Sequence, residues 1–331
     1  MLSVVHAAPV RSMLFRGSGP RDAATVGNAR LILTFNAQVG NPPRGSSTVF
    51  STHGAIAAAL SCLCLSTSIA SADPICPAGD SFDYMGARVS FTGDHAAYYF
   101  ASDHKLVDAD GAPNAYHPDD EPDACPDAGR GIDCLESAGY PNGSWWQTVL
   151  AADPADPDRP AVQRGGPYKG YFVSMTSLRD TSAAGHASPA SYVDAARIPY
   201  LVLPAPIYRT DGMGEMGDIG WATNLDTGRA TPFVIADEGP VEPFGEASVA
   251  FWQSLGARAP NPRTGEGLPN GRVVYVVFPG SRLTAAIGWP IDRDALAREA
   301  KARLAAIGGP TMLRSCVDAG GQDGSPKSSL R

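Results

Sequence analysis

Two carboxylates lie close together in the segment of the sequence that is best suited to chemistry. Asp237 follows an apolar run, residues 231–236, that predicts a buried strand, and Glu246 lies nine positions later at the predicted start of a helix. A Gly-Pro bend separates them, so both side chains are expected side by side at an open strand end. Such a pair can act as general acid and general base in glycoside hydrolysis. The alternative is that both are ordinary solvated surface groups.

Other polar and aromatic residues are candidates for binding a substrate. Asp108 and Asp110 lie in the sequence Asp-Ala-Asp-Gly, which is also a common turn sequence and lacks the third acidic position of a calcium loop. Trp145 and Trp146 are suited either to stacking on sugar rings or to packing in the core. His117 either borders the site or is an inert surface histidine.

The remaining motifs exclude several kinds of site. The cysteines and histidines lack the spacing of a zinc site. A P-loop and a dinucleotide-binding fingerprint are absent, and so is the G-x-S-x-G sequence of serine hydrolases. We therefore expect neither a metal nor an organic cofactor.

The composition narrows the function classes further. The chain has 331 residues, with 26 Lys and Arg against 34 Asp and Glu, for a formal net charge of −8. A nucleic-acid-binding domain needs clustered basic residues, so we expect no nucleic-acid partner. No apolar run reaches the ~20 residues needed to cross a bilayer, so we expect no stable membrane insertion. A hydrophobic share of 44% is ordinary for a globular protein.

The first 72 residues have the layout of a leader. An uncharged apolar stretch, residues 54–65, precedes small residues at Ala70 and Ala72, which predicts a signal peptide cleaved near Ala72. The alternative for this stretch is a buried helix. We interpret residues 1–49 as a disordered leader or translated upstream sequence, with a natural start near Val49. The protein is then secreted, extracellular or periplasmic, and residues 73–331 carry a net charge of −12.

The four cysteines that follow the leader suggest two disulfide bonds. Four cysteines allow three pairings, and exported proteins commonly form such bonds. We expect Cys125 to pair with Cys134 in a short local loop, and Cys76 to pair with Cys316 and so join the two ends of the domain.

Many short β-type runs separated by Gly and Pro turns predict a mainly β protein with a few helices. The predicted strands are residues 87–91, 97–101, 170–175, 200–203, 219–224, 231–236 and 272–278. Two helices are predicted, residues 245–255 and residues 295–307, the second with Asp294 as its N-cap. We expect a single domain over residues 73–316, a disordered tail over residues 317–331, and a monomer.

The segment around the two acids resembles glycoside hydrolase family 75, the fungal-type chitosanases, whose motif joins an Asp after a β-strand to a Glu in a G-E-A-S sequence. Here these residues are Asp237 (VIAD) and Glu246 (GEAS). The resemblance covers about residues 82–283 and includes VDADG (107–111), PNAYH (113–117), the Trp145-Trp146 pair, GYFVSMTSL (170–178), YVDAARIPYLVL (192–203) and VVFPG (276–280).

The resemblance implies an inverting endo-chitosanase with Glu246 as proton donor and Asp237 as base. A carboxylate at a helix N-terminus is favoured in its ionised form, which opposes this role for Glu246 and leaves the two roles open. The expected substrate contacts are Asp108, Asp110, Asn114, Tyr116, His117 and Trp146. The acidic surface suits a polycationic polymer, and it suits equally a soluble secreted protein.

The same region is also similar to the double-psi β-barrels of rare-lipoprotein-A-like and expansin-like proteins. The matching elements are TNLDTGR (223–229) and DEGP (237–240). This similarity implies a six-stranded double-psi β-barrel core. It leaves three functions: hydrolysis of chitosan or a related amino-sugar polymer, lytic cleavage of peptidoglycan, and glycan binding without catalysis.

Overall fold

A computed structural model of the chain describes residues 80–121, 124–182, 185–283 and 285–320. The predicted leader and cleavage site, Cys76 and residues 321–331 lie outside the described residues.

Within these ranges the chain is mainly β with few helices, as predicted. The strands are β1 (Ser81–Tyr84), β2 (Ala87–Phe91), β3 (Tyr98–Ser102), β4 (Leu106–Asp108), β5 (Ala152–Asp153), β6 (Asp156–Pro160), β7 (Tyr200–Pro204), β8 (Ile219–Asn224), β9 (Ala230–Gly239), β10 (Glu246–Ser248) and β11 (Val273–Phe278). The α-helices are α1 (Ala205–Tyr208), α2 (Val249–Ser254), α3 (Arg293–Ala306) and α4 (Gly309–Gly320).

Nine of these strands form one mixed sheet in the order β1-β2-β3-β11-β8-β9-β7-β10-β4. The pairs β7·β9 and β4·β10 are parallel, and the other neighbours are antiparallel. Strands β1 and β4 are the two edges of this order, so the pairings of the described strands do not close the predicted six-stranded double-psi barrel. Strands β5 and β6 form a separate hairpin.

The sheet is buried on both faces, and alternate residues of β11 show this. Val276 and Phe278 pack in one apolar cluster, whereas Tyr275 and Val277 pack in another. This division follows from the two-residue period of a strand. The stripe of α3 (Leu296, Ala300, Leu304) belongs to the first cluster and Phe251 and Trp252 of α2 to the second. The continuous apolar sequence VVYVVF is what such a central strand requires.

Most of the predicted strands are confirmed, and β2 and β8 have the predicted bounds. Residues 170–175 are not a strand and make only isolated bridges through Phe172 and Ser174. Their backbone groups instead bond to loops, as when Phe172 N donates to Tyr116 O at 3.0 Å. Helix α3 is confirmed, but its N-cap is Asp292 and not Asp294, because the Asp292 carboxylate accepts the N–H groups of Asp294 and Ala295.

The predicted helix over residues 245–255 is shorter than expected and begins at Val249. Glu246 lies instead on β10, where it is paired with Leu106 of β4. Ser248 is the N-cap, since its Oγ accepts the N–H of Phe251 at 3.1 Å. The end of the helix agrees with the prediction, because Gly256 follows it with a φ of +104°.

The disulfide between Cys125 and Cys134 is confirmed. Cys316 is also disulfide-bonded, but its predicted partner Cys76 lies outside the described residues. Helix α4 continues to Gly320, so the first four residues of the predicted disordered tail, 317–320, are helical. None of the described helices is long and apolar enough to span a bilayer.

We predict that Ser248→Ala destabilises the protein by about 2–4 kcal/mol, because one buried hydroxyl makes three bonds. Its Oγ accepts from Phe251 N at 3.1 Å and Tyr200 N at 3.0 Å, and donates to Ile198 O at 2.8 Å. Denaturant unfolding measures the change. Ser254→Ala, which removes a single bond to Ala250 O, is the control. A loss below about 1 kcal/mol for Ser248→Ala would contradict the prediction.

Candidate active site

Four carboxyl groups come together across strands β4, β9 and β10. Asp108 ends β4, Asp110 follows in the next turn, Asp237 lies in β9 and Glu246 begins β10. Oxygens of Asp108, Asp110 and Asp237 lie within 4.8 Å of one another. Glu246 is close enough for Asp108 and Asp237 to raise its pKa. The structure thus brings together both predicted catalytic residues and two of the predicted binding residues.

The strand register explains why Glu246 and Asp108 meet. Parallel pairing places Ser248 of β10 opposite Asp108 of β4. Glu246 lies two positions before Ser248, so the two-residue period of a strand places it on the same face of the sheet. The helix start predicted for Glu246 is therefore corrected to a strand position, three residues before the helix begins.

A β-bulge positions Asp237. Strand β9 pairs with β7 through Ile235 opposite Leu201, and then through Asp237 opposite Val202, so Ala236 is the extra residue. A bulge changes the direction of the side chains that follow it. It is what allows Asp237 to face the other acids at the end of an otherwise apolar strand.

One oxygen of Asp237 accepts three hydrogen bonds. Ser177 Oγ donates to Oδ1 at 2.6 Å, Ser177 N at 3.2 Å and Glu238 N at 2.8 Å. These bonds fix the plane of the carboxyl group. The other oxygen, Oδ2, accepts no hydrogen bond from the described residues.

The turn after β4 fixes the other two aspartates. Asp108 Oδ1 accepts the N–H of Asp110 at 2.7 Å, which is an Asx-turn. Asp110 Oδ1 accepts from Tyr116 Oη at 2.8 Å and from Ser174 Oγ at 3.3 Å. Gly111 completes the turn with a φ of +77°, and a Cβ there would overlap the carbonyl oxygen of Val193.

Burial and mutual repulsion raise the pKa values of the four acids. Burial raises the pKa of Asp237 to about 7 and that of Asp108 to about 6. Loss of hydration, together with the charges of neighbouring acids, raises the pKa values of Asp110 and Glu246 well above their usual range. No Lys or Arg among the described residues forms an ion pair with any of the four. Ionising all four groups at once is therefore disfavoured, and the cluster retains protons at a higher pH than isolated carboxyl groups would.

The strand position of Glu246 removes the argument against its role as an acid. A helix N-terminus would stabilise the carboxylate, but here the helix begins only at Val249. Glu246 is half-buried, and the charges of Asp108, Glu242 and Asp237 all disfavour its ionisation. A carboxyl group that keeps its proton in this way is suited to protonating a leaving group.

Several residues of the site were missed by the sequence analysis. Asp133 is buried, and its Oδ2 accepts from Tyr116 Oη at 3.4 Å. Tyr200 Oη donates to Asp110 O at 2.9 Å, and Ser177 holds Asp237. Tyr200 and Ser177 lie in segments already quoted for the family resemblance, but nothing in their sequence separates them from ordinary strand and loop residues. Tyr116, which was predicted, joins the cluster through its hydroxyl group.

Three predicted binding residues are not brought into contact with the acids. His117 is buried, accepts the N–H of Asp119 at 3.1 Å and lies edge-on to Tyr171. Asn114 accepts the N–H of Ile132 through its backbone oxygen. Trp146 is half-buried, packed against the core. No hydrogen bond or ion pair joins these three to the four acids within the described ranges.

A cavity of about 690 Å³ adjoins the acidic turn. Gly111 and Pro113, which follow Asp110, form part of its wall, together with most of the residues between Pro189 and Ile198 and between Trp289 and Arg293. None of the four acids lines it.

The carboxyl oxygens of Asp108, Asp110 and Asp237 are of the type that binds either a hard cation such as Ca²⁺ or the ammonium group of a substrate.

We predict that Asp237→Asn stabilises the protein above neutral pH. The pKa of Asp237 is about 7 in the folded chain against about 3.9 in an unfolded one. Between these values the folded state binds more protons, so the wild-type protein loses stability as pH rises. Unfolding at pH 8 should require about 1–3 kcal/mol more for the variant, and this difference should shrink by pH 4. Glu238→Gln, next to it and paired with Arg209, is the control. A difference that is independent of pH would contradict the prediction.

The grouping of these residues as one site rests on their distances, hydrogen bonds and mutual charge. Comparison with protein-family models and with curated proteins finds no match to this chain.

Proposed function

We propose that the protein is a secreted glycoside hydrolase that cleaves internal β-1,4 bonds of chitosan or a related amino-sugar polymer. The observation that carries this proposal is the cluster of Asp108, Asp110, Asp237 and Glu246, with raised pKa values and no cationic side chain paired with it among the described residues. Protonated and ionised carboxyl groups in one site are what acid–base cleavage of a glycosidic bond requires.

Glu246 is the proton donor in this proposal, because burial and the charges of Asp108, Glu242 and Asp237 raise its pKa and no helix N-terminus lies at its position to oppose them. Its proton passes to the glycosidic oxygen as the bond to the anomeric carbon breaks. Asp237 is the base, and its free Oδ2 takes a proton from the attacking water while Ser177 holds Oδ1. Water attacks from the face opposite the leaving group, so the configuration of the anomeric carbon inverts.

Asp108 and Asp110 support a cationic substrate. Buried carboxylates without a positive partner are costly, and a cation that binds beside them relieves that cost. The ammonium groups of glucosamine units are such cations. The formal net charge of −12 over residues 73–331 also attracts a polycation at long range.

The six-stranded double-psi barrel remains part of the proposal and not of the described fold. The parallel pairs β7·β9 and β4·β10 support it. A double-psi barrel contains parallel strand pairs, and parallel neighbours are joined by crossover connections and not by hairpins. A closed set of strand pairings in an experimental structure would establish it.

We predict that Asp237→Asn and Glu246→Gln each lower the release of reducing ends from partly deacetylated chitosan by about a thousandfold. Each substitution keeps the shape of the side chain but removes the proton transfer. The matched control is Glu238→Gln, which neighbours Asp237 but pairs with Arg209. Circular dichroism should show all three variants folded.

The products distinguish the alternatives. Inverted anomers in the first seconds of reaction support the proposed mechanism, whereas an anhydro-sugar end would show lytic cleavage. Glycan binding with no new reducing ends would overturn the hydrolase proposal in favour of a binding module. Full activity of both Asp237→Asn and Glu246→Gln would overturn the assignment of the two residues.

We predict that Asp108→Asn moves the pH profile of kcat/KM to lower pH. The charge of Asp108 raises the pKa of both Asp237 and Glu246, so its removal should lower both. The acidic and the alkaline limbs of the kcat/KM profile, measured on the activity that Asp108→Asn retains, should both shift by about 0.5–1 pH unit. Asp103→Asn, an exposed aspartate outside the cluster, should leave the profile unchanged. An unshifted profile for Asp108→Asn would contradict the proposed coupling.

A further inference from the structure

Trp145 is the only exposed tryptophan of the five in the chain. Its exposed fraction is 46%, whereas Trp146, Trp221 and Trp289 are half-buried and Trp252 is fully buried. A tryptophan side chain is large and apolar, so most tryptophans in folded proteins are largely covered.

The loop is built to support one face of this indole ring. A Cβ at Gly139 would lie 2.7 Å from Cδ2 and 2.8 Å from Cε2 of Trp145, and one at Gly143 would lie 3.0 Å from its Nε1. A side chain at Gly139 would therefore displace the ring. Gly139 also has a φ of +69°, which favours glycine. The absence of side chains at these two glycines lets the ring pack against the backbone, while 46% of the residue stays exposed.

The same loop is tied to the acid cluster. Asp133 accepts from Ser137 Oγ at 3.2 Å and from Tyr116 Oη at 3.4 Å, and Tyr116 also bonds Asp110. The 3₁₀ helix Leu135–Ala138 follows directly and ends at Gly139. The disulfide from Cys134 to Cys125 fixes the start of this helix. The segment that leads to Trp145 is thus joined to the acid cluster by hydrogen bonds.

The surroundings of the ring are polar. Asn142, Ser144, Gln147 and Thr148 are exposed around it. A protein-binding surface would present a contiguous apolar patch, which this loop lacks. The Nε1–H of Trp145 has no hydrogen-bond partner among the described residues, so it can donate to a ligand hydroxyl. A flat aromatic ring with polar neighbours fits a sugar, which has an apolar face and a hydroxyl rim.

We propose that Trp145 is a stacking platform for a sugar ring of the polymer, at a subsite separate from the four acids. This inference rests on the proposed function, because the occupant is a more distant unit of the same glycan chain. The C–H face of a β-1,4-linked pyranose packs on the indole, and an ammonium group on that unit adds a cation–π attraction. Trp146, predicted from the sequence as a binding residue, packs edge-on against Tyr140.

The test is glycan binding by the full chain in the Glu246→Gln background, in which the substrate stays uncleaved. The probes are glucosamine oligomers of two and six units, with calorimetry as the readout. Adding Trp145→Ala should weaken hexamer binding about tenfold or more and leave dimer binding within about twofold. Adding Trp145→Phe, which keeps a flat ring, should retain most of the hexamer affinity.

Met85→Ala is the matched control, since Met85 is 52% exposed on the β1–β2 turn and should not affect binding. Melting temperatures of all variants should agree within a few degrees, which separates lost binding from lost folding. The platform proposal would be overturned if Trp145→Ala left the hexamer affinity of the Glu246→Gln protein unchanged. It would also be overturned if neither the Glu246→Gln protein nor its Trp145→Ala derivative bound glycan.

The assay also separates this inference from the proposed function. Hydrolysis of chitosan with a KM that is unaffected by Trp145→Ala would leave the hydrolase proposal standing and overturn the platform. Binding that depends on Trp145, in a protein that releases no reducing ends, would support the platform and overturn the hydrolase proposal.

Discussion

The burial of several carboxyl groups beside one another is the constraint on which the rest of the site depends. Removing a carboxylate from water is costly, and placing a second one beside it costs more. The protein offsets part of this cost with hydroxyl and N–H donors, chiefly Ser177 at Asp237 and Tyr116 at Asp110. The remainder appears as raised pKa values. Buried acids of this kind cost stability, and strongly raised pKa values in a cluster are typical of functional sites.

The sheet supplies the rigidity that this arrangement needs. Asp237 and Glu246 belong to strands that both pair with β7, which is buried along its whole length. The position of each acid is therefore fixed by backbone pairing and not by a mobile loop. The bulge at Ala236 and the short parallel pair β4·β10 are the two departures from a regular sheet that direct the acids toward one another.

The sequence predicts most of the central strands and the proximity of Asp237 and Glu246, but not the residues that surround that pair. Apolar runs such as VVYVVF predict strands by composition alone, and Asp237 follows such a run. The sequence predicts a helix that begins at Gly245, whereas the Ser248 cap and the pairing of Glu246 with β4 limit the helix to Val249 onward. Asp133 and Tyr200 come from distant segments. Only the long-range pairing of the chain brings them to the site.

The acids and Trp145 would recognise a glycan through two different interactions, charge attraction and aromatic stacking. Charge attracts a polycation over several ångströms and is weakened by salt, but it does not fix the orientation of a sugar ring. Stacking acts only at contact, is much less sensitive to salt and fixes the plane of the ring. An amino-sugar polymer offers both a positive charge and an apolar ring face on every unit. It therefore satisfies both features of this surface, and a neutral glycan or an unstructured cationic peptide would satisfy only one of them.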